Sequence, residues 1–245
     1  MTAHLQFRSF GGPMSKNSPS GAKVKITKDG PYLVEGGLPL AKEIIGTGAN
    51  GESVKWVPGE KYPNQDGYAL CRCGHSANKP FCDGTHAKVH FDGTETASHE
   101  PYLNQATTIE GPTMSLTDVE GLCAFARFCD PHGQVWKLVD QTDHQDARTH
   151  FVQQTCDCPS GRLVAWDNAT GKAVEPVFEP SIRLIEDPAN KCAGPIWLRG
   201  GVQVVGADGF EYEIRNRVTL CRCGASQNKP FCNGSHATIG FKDEE

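Results

Sequence analysis

Residues 71–86 read CRCGHSANKPFCDGTH, and residues 221–236 read CRCGASQNKPFCNGSH. Aligned without a gap, the two stretches differ at only four of sixteen positions, and each holds three cysteines and one histidine at the same spacing. Three thiolates and one imidazole form a complete set of ligands for a metal centre. The repeat therefore predicts two metal sites in one chain.

The spacing alone leaves the identity of the metal open. A closed set of three cysteines and one histidine is also typical of zinc sites that only stabilise their own loops. Disulfides are disfavoured, because the chain has an odd number of cysteines, 11, and because histidines accompany them. Zinc and iron-sulfur centres are the alternatives that remain.

The pattern C-x-C-x8-C-x3-H resembles the CDGSH iron-sulfur domain family, which includes mitoNEET. The proline two residues before the third cysteine and the Gly-[Ser/Thr]-His ending belong to the same resemblance. It implies a [2Fe-2S] cluster held by three cysteines and one histidine, and hence two such clusters in this chain. The iron ligands that it implies are Cys71, Cys73, Cys82 and His86 in the first site and Cys221, Cys223, Cys232 and His236 in the second.

The two copies differ at the position after the third cysteine, which is Asp83 in the first and Asn233 in the second. Both side chains can cap a helix N-terminus, so we expect the same local fold in each copy. The carboxylate beside the first site alone predicts that the second cluster is the easier one to reduce.

The repeat extends beyond the ligands, because residues 30–40 match residues 194–204 as two short strand segments broken at Gly-Gly. Each repeat spans roughly 50 to 65 residues, too few to bury a strong core alone. Family members with one motif are two-fold dimers with intertwined strands. We therefore expect a strand-rich α+β fold, in which two CDGSH-type halves form an intrachain pseudo-dimer and the chain is a monomer.

Residues 99–193 form a distinct middle segment. Thr117 and Glu120 fit a capping box, and the apolar spacing that follows predicts a helix. Cys123, Cys129 and the Cys158–Pro159 pair resemble the divergent mono-cluster ferredoxin (4Fe-4S) family, so the segment is expected to be a small ferredoxin-like α+β domain. The chain is predicted to comprise a mobile tail (1–22), the first half (23–98), this middle domain (99–193) and the second half (194–245).

The middle cysteines do not by themselves decide whether the chain holds a third cluster. Ordinary bacterial ferredoxins place a cysteine where this chain has Ala126. The three ligands Cys123, Cys129 and Cys158 suit a [3Fe-4S] cluster, whereas a [4Fe-4S] cluster would need Cys156 or Cys192 as well. The alternative is that all are reduced core thiols of a fold that lost its cluster.

Composition indicates a cytoplasmic protein of 245 residues, with no apolar run of the roughly 20 residues that span a bilayer. A net charge of −5 does not favour nucleic acid as a partner. We expect one-electron transfer, or cluster storage and transfer, with redox or cluster-acceptor proteins as partners. A zinc-stapled interaction module is the alternative. An enzyme acting at a cluster is not expected, because no catalytic constellation is evident.

Overall fold

The computed structural model describes residues 7–10 and 21–243, and for residues 7–10 it describes only the backbone. These residues form strands and short helices. The strands are β1 (Phe7–Phe10), β2 (Lys23–Ile26), β3 (Tyr32–Glu35), β4 (Leu40–Thr47), β5 (Ser53–Lys61), β6 (Gly67–Leu70), β7 (Thr107–Glu110), β8 (Met114–Asp118), β9 (Leu163–Asp167), β10 (Lys172–Pro176), β11 (Ser181–Asp187), β12 (Cys192–Arg199), β13 (Gln203–Val205) and β14 (Arg217–Leu220). The α-helices are α1 (Thr85–Lys88), α2 (Tyr102–Gln105), α3 (Val135–Leu138), α4 (Gln145–Cys156) and α5 (Ser235–Thr238). Turns of 3-10 helix cover Glu120–Leu122, Val139–Gln141 and Pro188–Asn190.

Two sheets carry the repeated halves. The first-half sheet has the strand order β13-β2-β3-β6, and the second-half sheet has the order β14-β12-β11-β4-β5. The strand that leads into each C-x-C pair, β6 or β14, lies at one edge of its sheet. The strand β11 of the second-half sheet lies before the boundary predicted at residue 194.

The second half contributes one strand, β13, to the first-half sheet, and the first half contributes two strands, β4 and β5, to the second-half sheet. The strand β13 pairs in parallel with β2, with Val204 opposite Val24. The strand β4 pairs in parallel with β11, with Leu40 opposite Ile182. Leu40 and Val204 occupy matched positions of the repeat. The exchange is therefore reciprocal, with the same register on both sides.

The exchanged strands bury a common apolar core. One cluster of buried residues takes side chains from both halves and also from the middle segment. Tyr32 and Val34 on β3 belong to it, as do Leu198 on β12 and Leu122 of the middle segment. Burial of this size is the main favourable term in folding, and here it is shared between the halves.

The middle segment forms its own antiparallel sheet, with the strand order β1-β10-β9-β8-β7. Helices α3 and α4 pack against it around Phe151, Met114 and Leu163. The strand β1, which pairs with β10, lies within the predicted mobile tail. Residues 1–6 and 11–20 of that tail lie outside the described residues.

The helix predicted from the capping box is wrong. Thr117 lies in strand β8, and the residues after it form the 3-10 turn Glu120–Leu122 rather than an α-helix. Beyond it, Phe125 and Arg127 adopt left-handed backbone conformations with φ of 55° and 60°, which no α-helix contains. A strand forms here instead of the predicted helix because β8 pairs on both sides, with β7 and β9, and such tertiary pairing overrides a local pattern.

In the described part of the chain, none of the helices has the length and apolarity needed to cross a membrane.

Candidate metal centres

The same backbone frame holds both ligand loops. In the first site the N–H of Cys71 donates to the carbonyl of Pro80 at 2.8 Å, and that of Cys82 donates to Ala69 at 2.9 Å. In the second site the matched bonds run from Cys221 to Pro230 and from Cys232 to Thr219, with the same lengths. Each loop is therefore closed at the end of its strand, β6 or β14.

The donor atoms are grouped in pairs. The Sγ atoms of Cys71 and Cys73 lie 3.7 Å apart, and Cys82 Sγ lies 3.3 Å from Nδ1 of His86. The second site repeats both pairs, with Cys221 and Cys223 at 3.7 Å and Cys232 and His236 at 3.4 Å. Two sulfurs bound at about 2.3 Å to one tetrahedral ion would lie about 3.8 Å apart, so each pair fits one metal ion.

The pairs do not merge into a site for a single ion. Among the described residues, no three side chains of His, Cys, Asp or Glu converge on a position that could hold one metal ion. The donor atoms of each Cys3His set thus lie as a Cys/Cys pair and a Cys/His pair. That division fits a binuclear group such as a [2Fe-2S] cluster.

Backbone N–H groups surround the thiol sulfurs. Gly84 N–H donates to Cys82 Sγ and Gly234 N–H donates to Cys232 Sγ, each at 3.4 Å. Burial raises the pKa of Cys73 to about 11. A hydrogen bond from the Cys223 thiol lowers the pKa of Cys221 to about 6. Burial thus disfavours the thiolate of Cys73 unless a cation is present to offset it.

Asp83 and Asn233 bond to the helix N-termini, but they are not the predicted N-cap residues, because Gly84 and Gly234 occupy that position. Asp83 accepts hydrogen bonds at 2.9 Å from the N–H groups of Thr85 and Ala77. The bond from Thr85 N–H holds the pKa of this exposed carboxyl well below its usual range. Asn233 accepts from Ser235 N–H at 3.2 Å, so the substitution keeps the bond to the helix and removes the charge.

The two sites differ in exposure. His86 is half-buried, whereas only 4% of the surface of His236 is exposed. Burial first, and then the positive charge of Arg222, lowers the pKa of His236 to about 4. Imidazole at the second site is therefore held neutral, the form that binds a metal.

Part of the middle segment covers the second site. This cover segment, residues 121–127, places the carbonyl oxygen of Cys123 3.3 Å from where a Cβ on Gly234 would lie, and Phe125 Cβ 3.4 Å from it. Around the same position on the matched Gly84 of the first site, no atom of the described residues lies within 4 Å. The cover segment is anchored by Arg127, which forms a two-pronged ion pair with the buried Asp187.

Three of the middle cysteines come together. Burial raises the pKa of Cys129 to about 11, and the neighbouring thiols of Cys158 and Cys123 raise it further. Cys156 instead directs its thiol at the carbonyl of Val174, at 3.5 Å. Cys129 thus lies close enough to Cys158 and Cys123 for their charges to act on it, whereas Cys156 points elsewhere.

The remaining candidates do not complete the middle group. Cys192 lies beside Asp187 and Arg127 rather than beside the other thiols. Ala126, where a fourth cysteine would stand, is buried in an apolar cluster with Phe128 and Trp197. The described residues therefore supply three thiols here, which fit a cluster with three protein ligands.

Two arginines near the sites escaped the sequence reasoning. Arg72 and Arg222 stand between the cysteines of each C-x-C pair and are almost fully buried. Their Nε atoms donate to the carbonyls of Gly30, at 2.9 Å, and Gly194, at 2.6 Å. The signal was present, because both arginines and both Gly-Pro dipeptides recur in the repeat.

Comparison with protein families agrees with the repeat. The family described as "Iron-binding zinc finger CDGSH type" matches residues 29–87 and 193–237. The family described as "Divergent 4Fe-4S mono-cluster" matches residues 109–168. No curated protein and no solved structure matches the chain. The chain therefore contains two CDGSH-type iron-binding segments with a divergent 4Fe-4S segment between them, and these matches support iron-sulfur cofactor binding.

Proposed function

We propose that the chain binds one [2Fe-2S] cluster in each Cys3His site and acts as a one-electron carrier between redox proteins. The observation that carries this proposal is the grouping of each donor set into a Cys/Cys pair and a Cys/His pair. When bound, such clusters would supply reversible one-electron oxidation and reduction. The chain supplies the buried frame, the N–H donors to sulfur and one histidine at each site.

The donor geometry argues against the zinc alternative. A structural zinc ion is tetrahedral and needs four ligands around one point. The pairs seen here leave no described set of three donors around one position. A histidine ligand also has a redox rationale, because replacing thiolate by neutral imidazole raises the reduction potential of a cluster.

We infer further that the two halves form an intrachain pseudo-dimer, and that the middle domain is ferredoxin-like and holds a third cluster. The reciprocal exchange of β4 and β13 supports the first inference. The grouping of Cys123, Cys129 and Cys158 supports the second. Three thiolate ligands favour a [3Fe-4S] cluster over a [4Fe-4S] cluster bound by four cysteines.

The test is elemental analysis joined to spectroscopy. Purified protein should contain iron and inorganic sulfide for two [2Fe-2S] clusters beyond any middle cluster, with visible absorption that dithionite bleaches and air restores. Stoichiometric zinc without visible absorption would exclude the proposal. Incubation with an apo-ferredoxin separates the two uses of a cluster, since an electron carrier retains its iron whereas a cluster donor loses it to the acceptor.

A further inference from the structure

The second site is enclosed, whereas the first is open on the side of its histidine. The cover segment lies over Gly234, two residues before the candidate ligand His236. A redox partner of protein size could approach His86 but not His236. If electrons reach the second site, they pass through the protein.

The structure places the first site beside the second. The turn that ends at Gly74 packs on the backbone of Cys223, and the turn that ends at Gly224 packs on the backbone of Cys73. A Cβ on either glycine would lie within 2.7 Å of the facing carbonyl oxygen, so only hydrogen atoms separate the two loops. On its other side, the second site faces Cys123 of the middle group.

Buried charge differs between the two sites. Arg222 is paired with Glu186 at 2.9 Å and also with Asp243. Arg72 donates to the carbonyls of Gly30 and Thr27, its Nη1 has no hydrogen-bond partner among the described residues, and Asp92, which attracts it electrostatically, is fully exposed. The chain has glycine, Gly93, at the position matched to Asp243.

A buried cation whose counter-charge is exposed to solvent stabilises the more negative, reduced state of a neighbouring redox centre. Arg72 therefore favours an electron at the first site, while Asp243 and Glu186 cancel the same effect of Arg222 at the second. Asp83 acts in the opposite direction, but its charge is fully exposed and screened by solvent and salt. The balance reverses the order expected from Asp83 and Asn233 alone.

We propose that the second Cys3His site is an internal relay, which receives electrons from the side of Cys123 and passes them to the first site, the port to redox partners. The proposal rests on the proposed function, since both sites must hold redox-active clusters. It adds a route for the electron, which passes from the middle group to the second site and then to the first site. Each transfer moves one electron, so that one centre is oxidised as the next is reduced.

A kinetic experiment tests the route. The reduced protein is mixed with ferricytochrome c, and oxidation of the second site is followed by its absorption and EPR signals. Emptying the first site with Cys82→Ala and His86→Ala should slow that oxidation at least tenfold. Phe125→Gly is then added, because glycine suits the left-handed backbone there and removes the side chain from the cover segment. If emptying the first site slows the oxidation tenfold, this second change should speed it again by at least threefold. Unchanged oxidation in the emptied chain, or slowing that Phe125→Gly does not relieve, would overturn the relay.

A second measurement uses the intact ligand sets, in case the emptied chain does not fold. In a redox titration followed by EPR, Asp243→Asn should raise the lower of the two CDGSH-site potentials and leave the higher one fixed. A shift of the higher potential, or of neither, contradicts the assigned order. Failure of the proposed function is distinct, because the protein would then lack reducible clusters altogether.

Discussion

The hydroxyl of Tyr32, a residue of the first repeat, donates a hydrogen bond at 2.7 Å to the carbonyl oxygen of Cys221, a candidate ligand of the second site. The same hydroxyl lies 3.2 Å from the carbonyl of Pro230, on the other side of that ligand loop. At the matched position of the second repeat stands Ile196, which has no hydroxyl. The first half thus holds the ligand loop of the second half in place through Tyr32, and Ile196 cannot form the matching bond to the first ligand loop.

Tyr32→Phe should therefore weaken the second site selectively. Loss of a buried hydrogen bond that leaves a carbonyl unsatisfied costs about 1–3 kcal/mol. We expect faster loss of the second cluster's absorption in denaturant, with the first little changed. Tyr68→Phe is the control, because its hydroxyl donates to Leu38 at 2.8 Å, away from both ligand loops. Equal effects of the two variants on the second cluster would show that the Tyr32 hydroxyl does not stabilise the second site.

Gly224→Ala should disturb both sites at once. Gly224 has a φ of 78°, and its added Cβ would lie 2.5 Å from the carbonyl oxygen of Cys73, a backbone atom that cannot swing away. Gly240→Ala is the matched control, because Gly240 also has a positive φ, 62°, but has open space around it. The control carries only the left-handed penalty of about 1–2 kcal/mol.

We expect Gly224→Ala to cost clearly more than Gly240→Ala in unfolding free energy and to shift the EPR signals of both clusters. The measurement is denaturation followed by circular dichroism, together with EPR of the reduced protein. Equal costs for the two variants would show that the loops separate easily and do not pack as described.

Local patterns predicted the ligand loops well, because their information lies in the loops themselves. The cysteine and histidine spacing and the strands entering Cys71 and Cys221 both depend on neighbours in the sequence. The strand exchange does not, since the pairing of Leu40 with Ile182 joins residues far apart in the chain. Sequence indicated that the halves needed each other, but not which strand each would contribute.

The middle segment shows the opposite case. The capping-box pattern at Thr117 was real but carried no helix, because the Thr117 side chain bonds instead with Tyr102 and Trp166 from other elements. The cover segment over the second site could not be predicted from local sequence patterns either. It depends on the left-handed turns at Phe125 and Arg127, which no periodicity reveals.

Asp157→Asn should stabilise the protein at neutral pH. Burial raises the pKa of Asp157 to about 6, above the value of about 3.9 usual in an unfolded chain. The folded state therefore holds this proton more tightly than the unfolded state, and its stabilising effect is lost as the pH rises through 6. Two pKa units correspond to about 3 kcal/mol as an upper estimate. Urea unfolding at pH 7.5 and pH 5 should show a gain that shrinks at the lower pH.

Asp187→Asn provides the control of opposite sign. Burial raises the pKa of Asp187, but hydrogen bonds from Arg127 and Asn190 outweigh burial and leave it lowered. Its ionised form stabilises the fold above the unfolded pKa, and that contribution is lost as the pH falls through the folded pKa. This variant should therefore be less stable than the parent at pH 7.5. A gain for Asp187→Asn, or a pH-independent gain for Asp157→Asn, would contradict these assignments.

Arg127→Ala should uncover the second site. The guanidinium donates to both carboxylate oxygens of Asp187, at 2.6 and 3.1 Å, and only 2% of the Asp187 surface is exposed. Removing one partner of a buried pair leaves the other charge uncompensated, at a cost of about 3–5 kcal/mol. The cover segment would lose its anchor to the second-half sheet, and a chelator would reach the iron beneath it.

The measurement is iron release to a ferrous chelator after reduction, with the two CDGSH-type clusters distinguished by EPR. We expect Arg127→Ala to accelerate release from the second site several-fold and to leave the first site unchanged, because no cover lies over Gly84. Arg148→Ala is the matched control: Arg148 pairs with Asp167 at 3.0 Å, but both side chains are partly exposed and lie in the middle segment. A surface pair of this kind contributes about 0–1 kcal/mol, so its loss should change neither site. If Arg127→Ala instead releases iron from both sites at the same rate, the cover segment does not protect the second site and the difference in burial has no functional consequence.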